Sequence, residues 1–117
     1  LRKNDALLDP AFAIELARAG TEAVDGGVRF KHDPLHLTRG PTPYRVAVAE
    51  AFWRRITCPV LLVEGSESSF LAMGEELERR AAFFPAARRA RLEGAGHMMQ
   101  RHKPRELAAL LADFLAA

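Results

Sequence analysis

The chain is poor in the residues that would place it in several specialised classes of protein. Its 117 residues include one cysteine, one tryptophan and one tyrosine, and its formal net charge is only +2. The lone cysteine, Cys58, excludes a disulfide within the chain and is typical of a reducing compartment, so we expect a cytoplasmic protein. No apolar run is long enough for a membrane span, and we expect no membrane partner.

An excess of positive charge that would favour nucleic acid is also lacking. Basic residues cluster at 79–80, 88–91 and 101–103, but glutamates are interspersed with them and aromatic residues are not. This pattern indicates neither phosphate binding nor base stacking. We therefore predict solvated faces that carry both signs of charge, and no nucleic-acid partner.

Metal and cofactor motifs are missing as well. His32, Asp33 and His36 are close enough in sequence to hold a metal, but Pro34 interrupts them and no second carboxylate cluster supports them. The segment 94–96, Gly-Ala-Gly, lacks the further glycine and the helix of a dinucleotide fingerprint. We expect neither a metal nor a cofactor.

The first part of the chain contains clear helix and turn signals. Asp9 and Pro10 predict the start of a helix and Gly20 predicts its end, with a broken continuation through residues 22–24 left open. A glycine-containing turn then precedes a short extended segment at 28–31.

An irregular loop is predicted for residues 32–43, which contain three prolines. Thr42 and Pro43 would supply the N-cap and first position of a second helix. The apolar residues of this helix recur at helical spacing and are expected to face the core. They are Val46, Ala49, Trp53 and Ile56.

The strongest patterns lie in the second half of the chain. The segment 59–64 is an apolar run that stops at Gly65, which predicts a parallel strand covered on both faces. Serines at 66–69 offer caps for a helix that runs to about Phe83, and Pro85 ends it.

A second strand is predicted for residues 87–92, with Ala90 and Leu92 facing inward and arginines facing outward. Pro104 opens a last helix with a broad apolar face. Two parallel strands joined by a helix indicate a right-handed crossover in an α/β fold. Because two strands do not complete a sheet, the open edge should be covered by further strands or by association.

Three segments together resemble a known family. They are Ile56–Gly65, the sequence Glu93-Gly94-Ala95-Gly96-His97-Met98-Met99, and Pro104 with the leucine-rich helix that ends Asp113-Phe114-Leu115. The pattern is similar to the C-terminal part of α/β-hydrolase-fold proteins of the esterase, epoxide hydrolase, haloalkane dehalogenase and serine-hydrolase-like group. The resemblance implies an α/β fold in which parallel strands with flanking helices follow remnants of a helical cap.

The resemblance also implies a division of the chain. Residues 1–55 would be the end of the helical cap or lid region and the return to the core. Residues 56–117 would be the C-terminal part of the α/β-hydrolase core, with residues 104–116 as its last helix. The early strands of the fold, and the nucleophile with them, would lie outside the chain.

His97 matches the position of the family's catalytic histidine. The resemblance implies that it takes a proton from a serine nucleophile, or activates water against an ester intermediate on an aspartate. A histidine suits this role because the unperturbed pKa of its side chain lies near neutrality. The alternative is a loop histidine that only makes local hydrogen bonds.

The sequence does not identify the acid that would orient this histidine. Family members often have Gly-x-x-Asp after the penultimate strand, and here Ser68 stands at the aspartate position. Glu67 is the candidate within the chain, Glu64 at the strand end is a weaker one, and an acid after an earlier strand would lie upstream. The alternatives for Glu67 are an exposed carboxylate favoured by a helix dipole, or the absence of any functional acid.

No nucleophile can be nominated, because the family's Gly-x-Ser-x-Gly elbow does not occur in the chain. The chain alone is therefore expected to be inactive. Five apolar residues are available to line a pocket for a small-molecule substrate, and Met98 and Trp53 are the candidates chosen from them. The five are Phe30, Trp53, Phe70, Met98 and Met99.

The leading hypothesis is a hydrolase of the α/β-hydrolase fold that acts on a carboxylic ester or similar small apolar substrate. In it, this chain supplies the catalytic histidine but not the nucleophile. The alternative hypothesis is a non-catalytic α/β-hydrolase-like fragment that acts by protein association. In either case we expect the N-terminal half of the same fold, or self-association, to cover the sheet edge.

Overall fold

The computed structural model describes residues 5–38, 40 and 42–117. The chain folds as two compact units that divide between Tyr44 and Arg45. The assignment of residues 1–55 to a cap stays a prediction.

The first unit contains a helix followed by a hairpin. Helix α1 covers Pro10–Gly20, and the Asp9 side chain accepts a hydrogen bond from the Phe12 N–H at 2.9 Å, as the N-cap pattern predicted. The chain does not continue brokenly as a helix beyond Gly20. Instead, β1 (Thr21–Val24) pairs antiparallel with β2 (Gly27–Phe30), because the Asp-Gly dipeptide at 25–26 is favourable in a two-residue hairpin turn.

A short 3-10 helix, Pro34–Leu37, interrupts the predicted irregular loop. The Asp33 side chain caps it by accepting the Leu35 N–H at 2.8 Å. Positions 39 and 41 of that loop lie outside the described residues. No cluster of three or more potential metal ligands occurs in the described part of the chain.

The second unit begins with α2, Val46–Trp53. The predicted start at Thr42–Pro43 is wrong, because the backbone is still extended at Arg45 (φ −111°, ψ 108°) and Pro43 can open a helix only if the next residues are helical. The predicted inward face is half-buried at three of its four positions, whereas Ile56 lies beyond the helix and is exposed.

Two parallel strands form the sheet of this unit. β3 (Leu61–Gly65) pairs with β4 (Arg88–Leu92), with Val63 opposite Ala90. Both strands and their parallel arrangement were predicted, and β4 alternates between half-buried and exposed residues as expected. Residues 61–64 are only half-buried, because β4 is the only strand that pairs with β3 in the described part of the chain.

The single helix predicted after β3 is wrong. A 3-10 helix, Ser69–Met73, is followed by α3, Glu75–Ala81. The break falls at Gly74, where φ is +49° and ψ is −117°. A residue without a Cβ atom tolerates this conformation, and a helix cannot pass through it.

The chain ends in two helices. The short α4, Met99–His102, was not predicted, whereas α5, Pro104–Ala116, has the predicted bounds. An ion pair between Arg88 and Asp113, 2.6 Å apart, connects β4 to α5. In the described residues, no helix has both the length and the apolar character that crossing a membrane requires.

Candidate active site

Two turns meet at the carboxyl ends of the parallel strands, where α/β folds place their ligands. We call residues 65–70 the β3 turn and residues 93–97 the β4 turn. The second contains His97, the predicted general base. The β3 turn contains Glu67, the candidate acid within the chain, and Ser68, which stands at the aspartate position of the family pattern.

Hydrogen bonds join the two turns along their length. The Ser66 N–H donates to the Leu92 carbonyl at 3.0 Å, which extends the strand pairing by one step. The Glu67 N–H donates to the Ala95 carbonyl at 2.9 Å. In the opposite direction, the Gly94 N–H donates to the Ser66 hydroxyl oxygen at 2.8 Å. The backbone that leads to His97 is therefore attached to the β3 turn at three points.

Gly65 permits this close approach. A Cβ atom at this position would lie 2.3 Å from the Ala95 carbonyl oxygen and 2.6 Å from that of Gly96. Both neighbours are backbone atoms, so they cannot move away as a flexible side chain could. The glycine that was predicted only to stop the strand is also required for the β4 turn to fit.

The two turns are the most enclosed part of the second unit. Its buried residues among those described are Gly65, Ser68, Ala95 and Gly96, whereas the strands behind them are half-buried or exposed. Ala95 has no exposed surface. The frame around His97 is thus packed more tightly than the sheet that supports it.

The imidazole of His97 is exposed at the edge of this frame. Its ring lies against Phe70 of the β3 turn, with a centroid distance of 4.4 Å and an interplanar angle of 38°. No hydrogen bond or ion pair joins the His97 side chain to any described residue. A solvent-accessible imidazole with free ring nitrogens can accept a proton from a group that approaches from outside this segment.

Neither carboxylate candidate is paired with His97. Glu67 is exposed, and its Oε1 atom lies 3.3 Å from the hydroxyl oxygen of Ser66, which donates to it. Glu64 is half-buried, and its Oε1 atom lies 3.9 Å from Arg91. The catalytic roles proposed for these residues stay predictions.

Ser68 has a structural role in the β3 turn. It is 9% exposed, and its hydroxyl oxygen accepts a hydrogen bond from the Phe70 N–H at 3.3 Å, which caps the 3-10 helix. Phe70, two residues further on, then faces His97. The family pattern has an acid at the position of Ser68. In this chain, the residue of the β3 turn that contacts His97 is Phe70, through its aromatic ring.

A cavity of about 480 Å³ opens beside His97. His97, Phe70 and Met99 line it near the turns, and Trp53 also lines it. The Trp53 ring lies 5.6 Å from that of Phe83, which places it near the amino ends of the strands. The five residues of β3 separate these two ends by about 13 Å, at 3.3 Å per residue.

The two predicted substrate contacts therefore differ in position. Trp53 lines the same cavity as His97 and contacts Phe83. Met98 is half-buried and is not among the residues that line the cavity, whereas its neighbour Met99 is. Both assignments stay predictions.

The charged residues of α3 form a network apart from the turns. Hydrogen bonds from Arg79 and Arg80 lower the pKa of Glu76 to about 2. A bidentate contact from Arg89 lowers the pKa of Glu78, with distances of 2.6 and 2.8 Å. These pairings involve three basic residues of the clusters at 79–80 and 88–91 and are consistent with solvated faces of mixed charge.

Sequence reasoning did not identify His102. Its Nδ1 atom accepts a hydrogen bond from the Gly96 N–H at 2.9 Å. No spacing rule relates a histidine to a backbone amide six residues earlier, so the sequence carried no signal for this contact.

Comparison with solved structures identifies the fold. The thioesterase domain from the curacin biosynthetic pathway has a TM-score of 0.78 and 28% identity, and the match covers 95% of this chain and 38% of that one. E-2-(acetamidomethylene)succinate hydrolase has a TM-score of 0.74 and 22% identity, with 99% and 42% covered. The chain therefore spans about two fifths of the length of these structures. No family model and no curated protein sequence matches the chain.

These similarities agree with the topology of the second unit. The predicted fold, an α/β fold that corresponds to the C-terminal part of an α/β-hydrolase, is confirmed.

Proposed function

We propose, on the basis of this α/β-hydrolase fold, that the chain supplies the catalytic histidine of an enzyme that hydrolyses a carboxylic ester or thioester. His97 is the general base, and the nucleophile comes from outside the chain. The observation that carries the proposal is the position of His97 on a buried, hydrogen-bonded frame at the carboxyl ends of β3 and β4. The thioesterase domain, at 28% identity, supports the choice of an acyl substrate.

The chemistry assigned to His97 needs a base that gives its proton back. The imidazole takes the proton of a serine hydroxyl as that oxygen attacks the acyl carbon, and then passes it to the departing alcohol or thiol. In the second half of the reaction it takes a proton from water, the hydroxide attacks the acyl carbon, and the imidazolium returns its proton to the serine oxygen as that oxygen leaves. If the nucleophile is an aspartate, His97 serves only in this water-activating step.

The acid partner of His97 is proposed to come from an earlier strand, upstream of the chain. Two features of the β3 turn support this choice over Glu67. Glu67 is exposed and accepts a hydrogen bond from Ser66, and the Phe70 ring occupies one side of the imidazole. An upstream carboxylate would approach the free ring nitrogens without displacing either residue.

The remaining part of the fold is proposed as the partner that covers the sheet. In the part of the chain that the structure describes, β3 pairs only with β4, and the apolar residues Val48, Phe52 and Leu115 are 51%, 62% and 81% exposed. A further parallel strand on β3 would pair the N–H and C=O groups along its other edge, and the rest of the fold would cover the exposed apolar residues of α2 and α5. It would also place the carboxyl end of its own strand, where a nucleophile or acid can lie, next to His97.

The test is an assay of aryl ester and aryl thioester hydrolysis by the full natural polypeptide that contains this chain. His97→Ala is expected to lower kcat about 10³-fold, because the general base is lost. His36→Ala is the matched control, since His36 is an exposed histidine of the first unit, and it should leave kcat unchanged. Activity that survives in His97→Ala would contradict the proposal.

A second comparison separates the two sources of the acid. Glu67→Gln should leave kcat within about threefold of the unaltered protein if the acid lies upstream, because only a local hydrogen bond changes. A loss of about 10²-fold or more in Glu67→Gln would instead identify Glu67 as the acid.

A further inference from the structure

The peptide that precedes His97 is held from both sides. The Ala95 carbonyl accepts the Glu67 N–H at 2.9 Å, and the N–H of the same peptide unit, that of Gly96, donates to His102 Nδ1 at 2.9 Å. One bond connects the peptide to the β3 turn, and the other connects it to α4. Ala95 and Gly96 are both buried, so water does not readily replace either bond.

The short α4 brings His102 back to the β4 turn. The Arg101 N–H donates to the Met98 carbonyl at 2.8 Å, and the Lys103 N–H donates to the Met99 carbonyl at 2.8 Å. This single helical turn begins two residues after His97 and places His102 against the β4 turn. His102 is half-buried, which limits the directions its ring can take.

We propose that His102 is a positioning residue for His97. By accepting the Gly96 N–H, it prevents rotation of the peptide between Ala95 and Gly96. It thereby fixes the orientation of the next residue, His97, relative to the two turns. The proposal rests on the proposed function for its effect on catalysis, but its structural part can be tested separately. The Nδ1 atom must be unprotonated to accept this bond, so a neutral His102 carries its proton on Nε2.

The first test measures the hydrogen bond in the unaltered protein. In the full natural polypeptide labelled with ¹⁵N, a scalar coupling across the hydrogen bond should connect the Gly96 amide nitrogen with His102 Nδ1. Absence of the coupling, with both signals assigned, would overturn the proposal whether or not the protein hydrolyses esters.

The second test follows the position of His97. Because its ring lies 4.4 Å from Phe70, the His97 ring protons should show a ring-current shift. His102→Ala should reduce that shift, whereas His102→Asn should keep it, since the Asn Oδ1 atom can accept the bond in place of Nδ1. The Trp53 ring signals, which report on contacts with Phe83, should stay unchanged in both variants and so verify the fold.

The third test separates positioning from the proposed function. In the ester assay, His102→Ala should lower kcat about tenfold with KM unchanged, and His102→Asn should recover most of the loss, because a small displacement of a catalytic group reduces the rate strongly. Gln100→Ala, an exposed neighbour on α4, is the control and should leave kcat unchanged. Equal kcat in the unaltered protein and His102→Ala, or no recovery in His102→Asn, would overturn the positioning role.

If the polypeptide hydrolyses no ester or thioester, the proposed function fails. The coupling and the ring-current shift then still decide whether His102 holds the β4 turn.

Discussion

The β3 turn and the β4 turn lie side by side but differ in what they contribute. The β4 turn follows the family pattern closely and ends at His97. The β3 turn departs from the pattern at Ser68, yet the backbone of Glu67 and the hydroxyl group of Ser66 hold the β4 turn. Its Ser68 side chain caps a helix instead of supplying an acid.

This difference shows that the residues that hold a catalytic side chain in place need not be the residues that take part in the reaction with it. Gly65, Ser66 and Glu67 hold the β4 turn through a close approach, a hydroxyl group and a backbone N–H, and none of these contacts depends on an acid in the turn. Each of these contacts can be removed by a single substitution.

Gly65→Ala should break the contact between the turns. Its Cβ atom would lie 2.3 Å from the Ala95 carbonyl oxygen, so the β4 turn has to move. We expect a loss of about 3 kcal/mol in the free energy of unfolding, measured by urea denaturation, together with loss of ester hydrolysis.

Gly20→Ala is the control for this change, because a Cβ atom at Gly20, the last residue of α1, meets no atom within 4 Å. It should be neutral or stabilise by up to about 1 kcal/mol. Equal stability of the two alanine variants would show that the turns are not in the close contact described.

Ser66→Ala should weaken the contact between the β3 turn and the β4 turn without breaking it. It removes the acceptor of the Gly94 N–H, and we expect a loss of about 1 kcal/mol in the same urea measurement. Ser69→Ala is the control, since the Ser69 hydroxyl makes no hydrogen bond with a described residue. If the Ser69 variant loses as much stability as the Ser66 variant, the bond to Gly94 is not the cause.

Ser68→Ala should affect the β3 turn alone. It removes the cap on the Phe70 N–H, at a cost of about 0.5–1 kcal/mol. Ester hydrolysis should stay within about threefold of the unaltered protein, because the three hydrogen bonds that join Ser66 and Glu67 to residues 92–95 are kept. A large loss of kcat would mean that the Ser68 hydroxyl takes part in the reaction.

Glu76→Gln should have the smallest effect and should leave both turns unchanged. The pKa of Glu76 is lowered from 4.5 to about 2 by Arg79 and then Arg80, so its ionised form stabilises the fold above pH 4.5, and this contribution is lost as the pH falls towards 2. The variant should therefore melt at a slightly lower temperature than the parent at pH 7 and at the same temperature near pH 2.

Glu75→Gln is the matched control, since Glu75 forms no ion pair with a described residue. It should give no such pH dependence. A difference for Glu76→Gln that grows towards low pH would contradict the sign of the shift.

The sequence predicted those elements whose patterns are local. Strand β4 was predicted within one residue because apolar residues alternate with arginines, and the start of α5 was predicted because Pro104 opens it and leucines repeat at helical spacing. The end of α5 at residue 116 was predicted through the resemblance. The break at Gly74 was missed because a glycine among helix-forming residues does not by itself reveal a positive φ.

At the site, the sequence predicted His97 through a resemblance and not through spacing. The need for Gly65 and the contact from His102 could not be predicted, because both depend on how two distant loops meet in space. The cap formed by Ser68 was missed for a different reason. Ser68 was interpreted only as a residue that replaces the aspartate of the family pattern, although serine is also a favourable helix N-cap.

The most direct test of the account is chemical rescue of His97→Ala in the full natural polypeptide, measured as the rate of aryl ester hydrolysis with increasing imidazole. If His97 is the general base, the variant should be nearly inactive, and added imidazole should restore part of the rate in a saturable way, while the His36→Ala control should not respond. A variant that is fully active without imidazole, or an inactive one that imidazole does not rescue, would contradict the assignment of His97 as the base.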